Sequence, residues 1–276
     1  MLSNLKNEIK EMMNTENAIA GFNVFGIEDA IAIAKAAEES NTPTLFMLND
    51  LALNYMPVEY WVDMLKPVAE NAKVPISIHL DHCRIVENVI KAMEAGCTSV
   101  MYDGSQLPLD ENIENMKIIT EVAKKYDVSV EGEIGSVPYA DIPGHAKDLG
   151  TTEEELIRFQ TETDVDWIAV AVGQVHRLVG VKSVINYELF DKLNKVATKP
   201  LIIHGGTGID IKDMKYMCSK KVGKINFGTS LRVAFVKGLH EAIDENREEF
   251  DKLKLYRKPI QREKEAAQDC IERVRN

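Results

Sequence analysis

Cysteine is scarce and scattered. The four thiols, at 83, 97, 218 and 270, include no C-x-x-C pair, which excludes a disulfide framework and a zinc ribbon and leaves reduced thiols. No apolar run approaches the roughly 20 residues a membrane helix needs. The opening MLSNLKNEIKEMMNTEN carries acids at helical spacing, unlike the basic start and apolar middle of a signal peptide. These two absences predict a cytoplasmic protein that does not engage a membrane. Positive charge is also short, 33 Lys and Arg against 44 Asp and Glu for a net charge of -11. That balance disfavours nucleic acid, whose affinity rests on clustered Lys and Arg releasing counterions. A small phosphorylated ligand remains open, because it needs only a local positive or amide-lined site. No Pro/Gly/Ser-rich linker interrupts the 276 residues, so residues 1–276 are expected to form a single domain. No G-x-G-x-x-G follows the first strand candidate, which argues against an open dinucleotide-binding sheet.

What is present is an alternation. Eight short apolar runs bounded by turn residues read as strands: AIAGFNV (18–24), PTLFMLN (43–49), PISIHLD (75–81), TSVMYDG (98–104), VSVEGEI (128–134), DWIAVAV (166–172), PLIIHG (200–205) and KINFG (224–228). Segments of helical periodicity follow them at 27–40, 58–72, 84–95, 110–126, 151–163, 187–197, 210–220 and 230–250. Eight strands each followed by a helix predict an α/β fold of the (β/α)₈ TIM-barrel type, which takes about 250 residues and places its chemistry at the C-terminal ends of the strands. Residues 1–16 then form an added N-terminal helix and 251–276 a C-terminal helical tail.

The strand ends carry the polar residues such a barrel would gather on one face. In order they are Asn23; Asn49 and Asp50; His79, Asp81 and His82; Asp103; Glu131 and Glu133; His176; His204 with Gly205, Gly206, Thr207 and Gly208; and Asn226 with Gly228 and Thr229. Three of the six histidines, His82, His176 and His204, fall just past three different strands. Three convergent imidazoles on an open face suit a catalytic Zn²⁺ that keeps one position free; three unrelated hydrogen-bonded histidines are the alternative. Asp81 points opposite to His82 if the strand persists, which frees it for a substrate hydroxyl. The alternative for Asp81 is a cap on the helix that starts near Arg84. His79 reads as barrel interior. The glycines at 205 and 206 allow backbone amides to close on an oxyanion, with Thr207 adding a hydroxyl, and the loops after strands 7 and 8 are a common phosphate site in barrels.

At these residues the sequence resembles the class II, zinc-dependent ketose-bisphosphate aldolases, the fructose- and tagatose-bisphosphate aldolases. The resemblance runs through GFNVFGIED, IHLDH, TSVMYDGS, VEGEIG, AVAVGQVH, PLIIHGGTGI and KINFGTSLR, in family order and spacing. It implies one Zn²⁺ per chain on His82, His176 and His204, polarising the ketose carbonyl and stabilising the enediolate left by carbon–carbon cleavage. Asp81 would take the proton from the C4 hydroxyl, Glu133 would stand beside the metal as a further ligand, and Asp103 would orient a ligand histidine from behind. Gly205, Gly206, Thr207, Gly228 and Thr229 would cradle the phosphate of the dihydroxyacetone-phosphate half, and Asn23 and Asn226 would hold substrate. The family also implies a monovalent cation (Na⁺ or K⁺) near that phosphate and a homodimer or homotetramer.

Three departures bear on the substrate. Arg177 stands where the family has glycine, and Gly180 where it has lysine; the Arg177 guanidinium either replaces the ion or lies at the surface. In the loop after strand 5, GSVPYADIPGHAKDLG, Pro138 and Tyr139 take glycine places and Asp141 stands where the family's lid glutamate exchanges the enediolate proton, with Tyr139 and His145 as other carriers. After strand 2 the chain has Asn49-Asp50-Leu51 instead of small hydroxyl residues, which suggests a different aldehyde half. Arg257, Lys258 or Arg262 of the tail either serve that half across a subunit interface or form a solvated charged helix. The reading is therefore a metal-dependent aldolase cleaving a phosphorylated ketose to dihydroxyacetone phosphate and an aldehyde. A metal-dependent isomerase or epimerase of a related sugar phosphate and a non-catalytic sugar-phosphate-binding barrel are the alternatives.

Overall fold

The structure is a computed structural model and describes residues 1–140, 150–178 and 180–276. Asp141, His145 and Asp148 lie outside the described residues.

Eight parallel strands close into a barrel in chain order, β1 next to β2 and so on until β8 pairs with β1. The strands are β1 (Ile19–Asn23), β2 (Thr44–Leu48), β3 (Ile76–Cys83), β4 (Ser99–Tyr102), β5 (Ser129–Ile134), β6 (Trp167–Val170), β7 (Leu201–Ile203) and β8 (Val222–Phe227). The (β/α)₈ expectation is met. Alternation along the strands sorts their side chains into two cores. Phe22, Phe46, Ile78, Val100, Val130, Ile168, Ile203 and Ile225 join the layer shared with the outer helices, while Ile19, Leu45, Met47, Met101, Trp167, Ala169 and Ile202 fill the interior. The first helix, α1 (Lys6–Met12), belongs to the inner set: Leu5 and Ile9 are fully buried against it and plug the N-terminal end of the barrel.

The helices around the barrel are α2 (Ile27–Glu39), α3 (Asp50–Tyr55), α4 (Val58–Asn71), α5 (Val86–Ala95), α6 (Leu109–Tyr126), α7 (Glu153–Glu162), α8 (Tyr187–Val196), α9 (Ile211–Cys218), α10 (Thr229–Glu245), α11 (Lys252–Leu255) and α12 (Arg257–Arg273). The short α3 has no counterpart in the apolar pattern. It forms because the Asn49 side chain accepts hydrogen bonds from the amides of Leu51 and Ala52 and caps it. A capping box between Thr152 and Glu155 starts α7. The predicted 166–172 strand is shortened to four residues, since beyond Val170 side chains take over the ladder. Ala171 donates to Thr151 Oγ1, and Gln174 bonds both the Val172 amide and the Val170 carbonyl.

The tail packs as α12 along α2 and α10. Lys264 and Gln268 bond Glu39, Arg262 pairs with Glu241 at 2.9 Å, and Lys258 pairs with Glu245. Within one chain, Lys258 and Arg262 therefore clamp α12 to α10. Among the described residues no helix is long and apolar enough to cross a membrane.

Candidate active site

The C-terminal ends of the strands open into a cavity of about 120 Å³, lined by Asn23, Phe25, Asn49, Asp50, Leu51, Asp81, His82, Tyr139, His176, Arg177, Gly205, Thr207, Asn226, Gly228, Thr229 and Arg232. Simple alternation would separate Asp81 from His82. Instead, His82 takes a left-handed φ of 53°, and the β3–β4 register shifts between Leu80 and Cys83. Both side chains therefore reach one cavity. Asp81 is not a helix cap: α5 begins at Val86 behind Ile85, with no side-chain cap. Its carboxylate is held instead by two amides, Asn23 Nδ2 at 2.7 Å and Asn226 Nδ2 at 3.4 Å.

His82, His176 and His204 present one ring nitrogen each within 4.8 Å of one another. Beneath them, Glu133 Oε2 lies 3.4 Å from His82 Nδ1 and 3.6 Å from His204 Nδ1, and Asp103 Oδ2 lies 3.5 Å from His82 Nδ1. Asp103 is itself anchored by Arg84 Nε at 3.1 Å and by the Ser105 hydroxyl and amide. Burial would raise its carboxyl, but the bonds and charges of His82, Ser105 and Arg84 prevail and hold it far below the usual range. Burial, then the charge of His82, pushes His176 and His204 well below an ordinary imidazole, so both are neutral and ligand-competent. Burial also opposes charge on His82, yet Tyr139, Asp81, Asp103 and Glu133 raise it well above. Surroundings that favour a proton there equally favour a metal cation.

The phosphate candidates are split by the fold. Gly205, at φ 68°, turns the chain past the Val175 carbonyl, which a β-carbon would approach to 2.8 Å. Gly228 lies against Asn23, whose Oδ1 a β-carbon would meet at 2.6 Å. Thr229 opens α10 at the cavity wall. Gly206 is buried behind the lining, against β8. The Thr207 hydroxyl faces the cavity wall but is shared with Ser230 at 2.9 Å.

This strand-end constellation has a counterpart in a known family. The family model described as "Fructose-bisphosphate aldolase class-II" matches residues 3–276. The chain belongs to that family. It is similar to a sulfofructosephosphate aldolase of Alkalicoccus urumqiensis, 30% identical over 235 residues that cover 84% of this chain and 82% of the relative. It is also similar to a fructose-bisphosphate aldolase of Ureaplasma parvum, 33% identical over 251 residues, 87% of this chain and 83% of the other. Among solved structures, the YdjI aldolase from Escherichia coli superposes with a TM-score of 0.85 at 28% identity, covering 99% of this chain and 97% of that one.

Class II aldolases are generally zinc-dependent, and the donors in this aldolase fit a metal. His176 Nε2, His204 Nδ1 and Glu133 Oε2 are buried and have no hydrogen-bond partner, an arrangement that costs about 1–3 kcal/mol per atom when nothing satisfies it. Two supporting residues were given no role by the sequence reading, Glu131, which it placed at a strand end, and Lys224, which it did not single out. Glu131 accepts from His204 Nε2 at 2.9 Å and forms an ion pair with Lys224, Nζ to Oε2 2.7 Å, all three side chains fully buried. That bond commits the far nitrogen of His204 and leaves Nδ1 for the donor cluster. A lone lysine inside the apolar run KINF was the available signal. His79 is also interior, bonded through Nδ1 to Ser99 Oγ at 2.7 Å and 3.8 Å from Glu131. Arg232, one turn into α10, was missed because its relation to the cavity depends on the barrel closing. At the rim the Tyr139 ring stacks on His176, centroids 4.5 Å apart and planes within 17°, and the Arg177 guanidinium sits 5.0 Å from the Tyr139 ring. Backbone bonds from His176 to Pro138 and from Ala140 to His176 bind these two loops together.

Proposed function

We propose that this aldolase reversibly cleaves a phosphorylated ketose of the fructose- or tagatose-bisphosphate type to dihydroxyacetone phosphate and an aldehyde. The observation that carries the reading is the meeting of His82, His176 and His204 with Asp81 in one cavity, the Asp81 carboxylate aimed by Asn23 and Asn226. His82, His176 and His204, with Glu133 alongside, would hold one Zn²⁺, and Asp103 would orient His82. When bound, that ion supplies Lewis acidity at the ketose carbonyl.

Asp81 removes the proton of the C4 hydroxyl in cleavage and returns it in condensation. Its two amide donors orient the carboxylate toward that hydroxyl. The strand 7 and 8 loops take the phosphate through Gly205, Thr207, Gly228 and Thr229, with Gly206 supporting the turn from behind and Asn226 holding substrate hydroxyls. Arg177, or a monovalent cation (Na⁺ or K⁺), balances that phosphate. Asp141 exchanges the proton at the carbon released by cleavage. The protein works as a single-domain barrel over residues 1–276, in a cytoplasmic homodimer or homotetramer.

The test is an assay of phosphorylated ketoses with the zinc-loaded and chelated protein, products followed by NMR. Triose product that chelation abolishes is expected. Asp81→Ala should lower turnover about 10²–10⁴-fold while the bound zinc, measured by elemental analysis, stays at the wild-type level. Isomerised sugar without triose product would overturn the proposal.

A further inference from the structure

Behind the wall of the substrate cavity lies a second cavity of about 360 Å³, whose lining includes Phe25, Asp29, Arg232, Tyr256 and Glu263. Phe25 and Arg232 line both cavities, and the Arg232 guanidinium sits 5.3 Å from the Phe25 ring. These two side chains are therefore a partition. On its far side two carboxyls meet, Asp29 from α2 and Glu263 from α12, with 7% and 1% exposure. They are hydrogen-bonded to one another, and Asp29 Oδ2 accepts the Phe25 amide at 2.5 Å. Glu263 Oε2 has no partner.

Two carboxylates cannot share a hydrogen bond without a proton between them. Asp29 already accepts from the backbone, and Glu263 has an oxygen left bare, an arrangement much cheaper for a neutral acid than for a buried anion. The proton therefore belongs to Glu263. The groups facing the pair do not change this assignment: Glu28 from α2 adds negative charge, Tyr256 lines the cavity before α12, and Arg232 from α10 is engaged at the Phe25 face.

We propose that Glu263 is kept as a neutral carboxylic acid that donates its proton to Asp29, and that this bond, by holding Asp29 on the Phe25 amide, positions the Phe25–Arg232 wall of the substrate cavity. Glu263 is thus a positioning residue, by which the C-terminal helix sets the shape of a site it does not touch. Burial, with the charge of Asp29 next, raises the Glu263 carboxyl to about 10, in keeping with that geometry. The kinetic part rests on the aldolase reading of the cavity; the other two measurements below do not.

Three measurements test it on the full-length protein. First, a buried acid that stays protonated while the unfolded chain ionises loses stability as pH rises. The folding equilibrium of wild type relative to Glu263→Gln should fall about tenfold per pH unit between pH 5 and 9; parallel denaturation curves would overturn the neutral acid. Second, hydrogen exchange of the segment 22–29 should quicken about tenfold in Glu263→Ala and return to the wild-type rate in Glu263→Gln, whose amide can still donate to Asp29. Unchanged exchange in Glu263→Ala, or no rescue, would overturn the positioning role. Third, with fructose 1,6-bisphosphate as probe, Glu263→Ala should raise KM several-fold at near-constant kcat, with rescue by Glu263→Gln. If wild type does not cleave that probe, the substrate assignment fails while the first two measurements still decide the role of Glu263. Should Glu263→Ala not fold, Asp29→Asn replaces it, with the same expected exchange at Phe25 and the same overturning result.

Discussion

The floor and the rim of the cavity are built on opposite terms. The floor is strand-borne: His204, Glu131 and Lys224 form a chain of short contacts with no exposure, and Asp103 holds His82 while Arg84 and Ser105 hold Asp103. His204 and His82 each have a second group fixing their orientation there, Glu131 for the one and Asp103 for the other. The rim is loop-borne. Tyr139 stacks on His176, Arg177 lies against the Tyr139 ring in a cation–π contact, and Arg177 takes a left-handed φ of 55° that a non-glycine residue adopts at some cost. Burial raises the Asp50 carboxyl opposite them. A floor locked in this way can present the same donors to a metal whatever the substrate, whereas the rim can be exchanged with little effect on the barrel. Three of the departures read from the sequence, Arg177, Tyr139 and Asp50, line the cavity at this rim and none belongs to the floor.

The contrast can be broken from the floor side. Glu131→Gln removes the charge that orients His204 and leaves Lys224 buried without its counter-ion. Zinc affinity, measured by competition with a fluorescent chelator, is expected to fall about 10–100-fold, with a loss of thermal stability on top. Zinc affinity at the wild-type level would show that the floor does not depend on its supports. On the rim, Arg177→Gly should leave zinc affinity unchanged and raise KM for a phosphorylated ketose about tenfold, since it deletes a cation of the cavity wall and relieves a left-handed backbone. A fall in zinc content in that variant would erase the distinction between the two regions. The smallest effect is expected far from both. Burial pushes Cys83 to about 11 and Cys97, Cys218 and Cys270 to about 12, so almost no thiolate is present at pH 8. Titration with a thiol reagent should find all four unreactive in the folded protein and reactive once it is denatured.

Much of the fold was legible because its signals are local. Eight apolar runs separated by helical periods leave few topologies other than a closed parallel barrel, and period-two alternation already sorts Ile19, Leu45 and Met101 from Phe22, Phe46 and Val100. The three histidines stood out for the same reason, since a strand end is visible in the sequence. The relation of Asp81 to His82 was not, because a strand does not announce the residue at which it will take a left-handed φ; only pairing with β4 imposes that turn. Thr207 and Gly206 likewise appear in sequence as two more members of a phosphate loop, and their different positions follow from packing, Gly206 against β8 and Thr207 against Ser230 of α10.

By itself, then, the order of residues determined the barrel, the sites on its open face where imidazoles would emerge, and the family to which the chain belongs. Tertiary structure alone decided which buried charges meet: Glu131 with His204 and Lys224, Asp29 with Glu263, Arg232 with Phe25. Periodicity reports the face on which a side chain lies, because that depends on the few residues around it. Which two charges come within hydrogen-bond reach across a closed sheet depends on register and closure, properties of the whole chain.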